Sequence, residues 1–120
     1  MGVYDIVRIQ ELLVAVIDAV DFPGKQELLA QVPYVRVSGG PITFLELVVD
    51  HAAVAPSPFQ RGPVPGQCWV YESNDAVGPM IAWVNEGFLC ALEFAWVTDD
   101  PPTKLPLSVQ VRSAEKPGSG

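Results

Sequence analysis

The chain has 120 residues, 49% hydrophobic and 18% charged, with a formal net charge of −7. That length predicts one domain able to bury a core, and that composition predicts a globular chain rather than a disordered one. The negative charge argues against direct binding to nucleic acid or to an anionic membrane surface, both of which need basic patches.

The chain opens with "MGVYDIVRIQELLVAVIDAV". Met1-Gly2 is a myristoylation-like start, but that pattern asks for Ser or Thr at position 6, where Ile6 stands. No basic segment leads the stretch, and Asp5, Glu11 and Asp18 interrupt it, so it reads as a helix rather than a signal peptide. Every apolar run falls short of the ~20 residues that cross a bilayer. The expected location is therefore the cytoplasm, with no membrane partner. Ile6, Ile9, Leu13, Val16, Ile17 and Val20 share one helical face, with Asp5 as the N-cap. Val7, Leu12 and Val14 widen that stripe, which predicts deeper burial than a simple surface helix has.

A short second helix is predicted in "DFPGKQELLAQVP", with Pro23 in its first turn, Leu28, Leu29 and Val32 on its apolar face, and Pro33 as its stop. Strands follow. Tyr34 to Val37 and Ile42 to Asp50 flank the turn signal "SGGP" and are close enough to form a hairpin. In the second of these, Thr43, Leu45, Leu47 and Val49 fall on one face. "APSPFQRGPVPG", Ala55 to Gly66, reads as a rigid crossover; its functional alternative is a docking loop tipped by Phe59 and Arg61. Gln67 to Glu72, Pro79 to Val84 and Phe88 to Val97 are three further strands. Asn85-Glu86-Gly87 suggests a turn that pairs Val84 with Phe88. Period two then places Phe88, Cys90, Leu92, Phe94 and Trp96 in the core, with Trp83 and Glu93 on the other face. Asp99-Asp100-Pro101-Pro102 ends the pairing, because proline cannot donate to a ladder. Leu107 to Arg112 is a candidate edge strand. The expected architecture is α+β: an N-terminal helix and a short second helix packed on a mainly antiparallel sheet of five to six strands. Residues 1–112 form the single domain, and 113–120 a disordered tail.

The chain holds little that points to chemistry. Cys68 and Cys90 lie in separate strands and read as reduced core residues. His51, the one histidine, follows Asp50, but neighbours on a strand point apart and make no dyad. No phosphate-binding, dinucleotide or nucleophile-elbow motif is present. No catalytic residue, cofactor or metal ligand is therefore assigned. Between Arg61 and Lys104 there is no Lys or Arg, while Glu72, Asp75, Glu86, Glu93, Asp99 and Asp100 fall in that interval. Such a run reads as a solvated surface that keeps a small protein soluble; its functional alternative is one acidic face that steers association with a basic partner.

The segments "LLAQVPYVRVSGGPITFLEL" and "GFLCALEFAWVTDDPPTKLP" resemble those of small uncharacterised actinobacterial proteins, which share an "LExAWxTDxPPxxLP"-like ending. The resemblance spans most of residues 28 to 106 and implies a compact bacterial cytosolic domain. It implies no activity, and it carries no functional residue onto this chain.

The resulting expectation is a non-enzymatic protein-binding domain, for example an immunity-type or regulatory protein engaging a basic partner as a monomer or homodimer. Its candidate interaction residues are Glu72, Trp83, Glu86, Glu93, Asp99, Asp100 and Phe59. Two alternatives stand beside it. One is a small enzyme or ligand binder using Glu93, Asp99, Asp100 or His51. The other is a structural domain that self-associates through the edge at Leu107 to Arg112.

Overall fold

The computed structural model describes residues 5–113. Helix α1 spans Ile6–Ile17, and the Asp5 carboxylate accepts from the Arg8 backbone N–H at 3.2 Å. Ile9, Leu12, Leu13, Val16 and Ile17 are buried against the sheet. Val7 and Val14 are 58% and 42% exposed, so the widened stripe does not bury the helix on a second side. The sheet offers α1 one surface, and on the side of Val7 and Val14 only Ser108 and Val109 approach it among the lining residues of a shallow depression.

Helix α2 spans Lys25–Gln31, entered through Gly24 at φ 95°. Pro23 thus lies before the helix rather than in its first turn. A Cβ at position 24 would fall 2.4 Å from Ser57 Oγ, so this entry requires glycine for space as well as for φ. Lys25 Nζ reaches Asp18 at 2.7 Å and Asp21 at 3.0 Å. The hydrogen bonds that Lys25 donates to those two carboxylates raise its pKa, and the cation offsets their charge at the α1 C-terminus. Pro33 sits inside a tight 3-10 turn, Val32–Tyr34, which hands the chain to the sheet.

The strands are β1 Val35–Gly39, β2 Phe44–Val49, β3 Arg61–Pro63, β4 Cys68–Glu72, β5 Asp75–Asn85, β6 Phe88–Phe94 and β7 Val111–Ser113. They form one antiparallel sheet in the order β1-β2-β6-β5-β4-β7, with β3 paired to the second half of β5. The architecture is the expected α+β, with seven strands. The additional strand, β3, is a three-residue pairing inside the proline-rich crossover. The edge strand expected at Leu107 to Arg112 contracts to β7, because Ser108–Gln110 turn as a 3-10 helix. Ser113 belongs to β7, and the rest of the expected tail lies outside the described residues. The molecule measures 41 × 39 × 20 Å. A 20 Å thickness is one sheet plus one helical layer, each about 10 Å.

Two bulges set which side chains enter the core. The β5–β6 turn has two residues, Glu86 (φ 53°) and Gly87 (φ 80°), which is the mirror-image turn that two-residue hairpins favour. Asn85 therefore faces Phe88, and Val84 faces Leu89, one step from the expected register. Cys90 is then an extra residue, after which Trp83 faces Ala91 and Ala82 faces Leu92. Leu89, Leu92 and Phe94 point into the core, while Phe88 and Cys90 are only half-buried. Trp96 leaves the core as well, at 38% exposure. Its N–H donates to Phe94 O (3.2 Å), a three-residue turn that breaks the alternation.

The second bulge inserts Val77 between the pairs Val70–Gly78 and Tyr71–Ala76. It accommodates Pro79 in a central strand, where proline otherwise costs a ladder bond. It also lets the chain after β6 lie close along β5: Ala95 N–H donates to Pro79 O and Val97 N–H to Val77 O. Pairing thus persists to Val97 and stops before the double proline.

Gln31 is fully buried and joins the two layers. Its Nε2 donates to Gly87 O (2.8 Å) and Ala55 O (3.2 Å), and its Oε1 accepts from Leu89 N–H (3.0 Å). Replacing it with leucine leaves the Leu89 N–H without this partner inside the core. Gln31→Leu is expected to lower unfolding free energy by about 3 kcal/mol in denaturant titration. At Gly78 an added Cβ would stand 2.5 Å from Ala95 O, at φ 151°. Gly78→Ala is expected to cost about 2 kcal/mol or more, read as a lower denaturation midpoint at unchanged slope.

Candidate functional site

The structure distributes the residues singled out in the sequence over several places. Phe59 is half-buried, and its ring meets Phe22 edge to face at 5.4 Å, so it anchors the crossover instead of tipping a docking loop. Ser57 holds that crossover down: its Oγ donates to Gly24 O (2.8 Å) and accepts from Phe59 N–H (2.9 Å). Glu86 stands in the β5–β6 turn. Near that end, exposed His51 stacks on Phe88 at 3.7 Å. Glu72, Asp99 and Asp100 lie at the opposite end of the sheet, and Trp83 and Glu93 lie on its uncovered face. The acids between Arg61 and Lys104 therefore do not make one acidic face, because the β5–β6 hairpin carries them to opposite ends of the sheet.

Two surfaces gather functional groups. The first is the sheet face away from the helices. Phe44 and Val48 on β2 are each 41% exposed. Next to them lie half-buried Ile81 and Trp83 on β5. Glu93 pairs across with both Phe44 and Ile81, and Glu46 pairs with Ala91. Trp83 Nε1 donates to Glu93 Oε1 at 3.0 Å, which fixes both the indole and the carboxylate. The cations of this face, Arg36, Arg61 and Arg112, stand on β1, β3 and β7, outside the middle strands. Arg112 stacks over Tyr71 at 4.6 Å.

The second surface is a cleft of about 450 Å³ on the helical side, beneath the chain that links β6 to β7. Val70, Val77, Phe94 and Trp96 make its apolar wall. The linking chain closes it with Pro102, Leu105 and Pro106. Four charged groups border it: Arg8 from α1, Glu72 from the end of β4, and Asp100 and Lys104 from the linking chain. Arg8 Nη1 donates to Leu105 O (3.4 Å), and Gln110 Nε2 donates to Tyr71 O (3.2 Å), tying the linking chain to the helix and to the sheet. Sequence reasoning found Glu72 and Asp100 but missed Arg8, Lys104 and Trp96. The signal for the linking chain was present in its prolines, but its approach to α1 is a contact between residues 97 positions apart.

No family model, no curated protein and no solved structure matches the chain. Its function is therefore argued from these two surfaces alone.

Among the described residues no three of His, Cys, Asp and Glu converge as a metal would require, and no helix is long and apolar enough to cross a membrane. Cys68 is buried on the core face of β4, whereas Cys90 lies at the β6 bulge, with β5 between the two strands. Burial raises the pKa of both thiols, so both remain protonated and weakly nucleophilic near neutrality. Because the folded values are raised, their contribution to stability is complete below the unfolded thiol pKa. It is lost as pH rises through the folded one. A disulfide reagent is expected to modify native protein at Cys90 first, with a rate that climbs only above the ordinary thiol range. Cys68 is expected to react only under denaturing conditions, as peptide mass mapping checks.

Proposed function

We propose that this is a non-enzymatic protein-binding domain that engages a basic protein through its uncovered sheet face. The observation that supports the reading is the arrangement of the middle strands. Phe44, Ile81 and Trp83 surround Glu46 and Glu93, and the nearest cations stand on outer strands. An aromatic anchor held rigid by Trp83–Glu93 loses little entropy on binding, as interface hot spots require. Carboxylates beside it favour a partner with Lys or Arg at the matching position and reject acidic surfaces. The whole chain, at −7, adds long-range attraction for a basic partner at low salt. An immunity-type protein that caps a basic toxin is one concrete form of this function, and a regulatory subunit is another.

Affinity capture from cells that express the protein tests the proposal, run at low and high salt. A basic protein is expected to be retained by the wild type at low salt and weakened at high salt. Trp83→Ala is expected to cost about 2 kcal/mol or more of binding. Glu46→Gln with Glu93→Gln is expected to reduce the salt dependence. Capture of acidic proteins only, or equal capture by Trp83→Ala, would sink the proposal. So would a solution mass showing that the face is occupied by a second copy.

A further inference from the structure

The cleft beneath the β6–β7 connection brings charges of both signs to one apolar wall. Two carboxylates, Glu72 and Asp100, border it. Glu72 pairs with Asp75 at the tip of the β4–β5 hairpin. Thr98 Oγ1 donates to Asp100 O (3.0 Å), just beyond the point where Val97 N–H donates to Val77 O. Two cations border the cleft as well: Arg8, whose Nη1 donates to Leu105 O, and Lys104, the preceding residue. Among the described residues the ion pairs involve Lys25 alone, so none of these four charges neutralises another. Phe94 and Trp96 line the same cleft.

We propose that this cleft binds a small zwitterion with an apolar or aromatic body, of amino-acid to dipeptide size. The ligand carboxylate meets Arg8 and Lys104, its ammonium meets Glu72 and Asp100, and its side chain lies on Trp96. A volume of about 450 Å³ falls at the lower end of the range of about 300–1,000 Å³ that small-molecule pockets occupy. Charge-assisted hydrogen bonds at both ends would reject neutral analogues of equal shape. The cleft lies on the helical side of the sheet, so this site is independent of the protein-docking face.

The dipeptide phenylalanylglycine is the probe, with N-acetyl-phenylalanylglycine amide as its uncharged analogue. Each is titrated into full-length 15N-labelled protein and followed by amide shifts. Saturable shifts are expected at Trp96, Leu105 and Gln110, with Trp83 unmoved. The uncharged analogue is expected to bind at least about tenfold more weakly, the factor that corresponds to one lost charged contact. Lys104→Gln and Asp100→Asn alter exposed side chains and leave the core intact; each is expected to weaken binding about tenfold. The proposal is overturned by the absence of saturable shifts at millimolar dipeptide, or by shifts confined to other residues. Equal affinity for the uncharged analogue, or unchanged affinity in both variants, overturns it as well.

Discussion

One buried amide holds the two layers in register. A glutamine side chain offers two donors and an acceptor, and Gln31 meets two carbonyls and one N–H at 2.8–3.2 Å. Leu89 N–H is the residue just before the Cys90 bulge, so the bulge and the amide specify each other. Gly87 is bound from the other side as well: its N–H donates to Gln60 O and its carbonyl accepts from Ser57 N–H. An added Cβ there would stand 2.7 Å from Ser57 O. The β5–β6 turn is therefore clasped between α2 and the proline-rich crossover. That clasp places the helices over one face of the sheet and leaves the other face to solvent.

The opposite end of the sheet is organised by close backbone approach instead of by a buried side chain. Gly78 lets the chain after β6 run against β5 with no intervening Cβ. From there the three-residue turn at Ala95 swings Trp96 out of the alternation and onto the cleft wall. The same irregularity that removes a large aromatic from the core supplies the cleft with its ring. Pro102 and Pro106 then stiffen the connection that roofs it, and Arg8 and Gln110 fasten that connection at two points. Local departures from strand geometry are thus what make a cavity in a two-layer fold that a regular strand would have filled.

Much of this fold is legible in the sequence, because the information is local. Asp5 before the spaced apolar residues of α1 marks a helix start, and the alternation of Leu45, Leu47 and Val49 marks a half-buried strand. The failures are equally specific. Asn85-Glu86-Gly87 supports either a two- or a three-residue turn, and the choice moves every cross-strand pair by one. A bulge shows in sequence only as Gly78-Pro79 or as nothing at all, as at Cys90. Gln31 looks like a solvent-facing residue of a short helix, since its three partners are 24 to 58 positions away. The candidate sites follow the same rule. Trp83 and Glu93 are readable as sharing one face of a hairpin, whereas the meeting of Arg8 with Leu105 requires the whole topology.

The acidic interval shows most clearly how linear spacing differs from a surface. Asp75 begins β5 and Glu86 follows it, and at about 3.3 Å per residue the strand separates them by roughly 35 Å. The screening length at physiological salt is about 8 Å, so these charges do not act on a partner together. Glu72, Asp75, Asp99 and Asp100 form one local group near the cleft, Glu86 stands alone, and Glu93 works with Glu46, which lies outside the interval altogether. The net charge of −7 governs how a basic molecule approaches from a distance. On the proposed docking face, what it would meet is two carboxylates, one of them held by an indole. If a basic partner docks on the sheet face as proposed, the salt dependence of docking reports on Glu46 and Glu93, and the acids at the sheet end take no part in it.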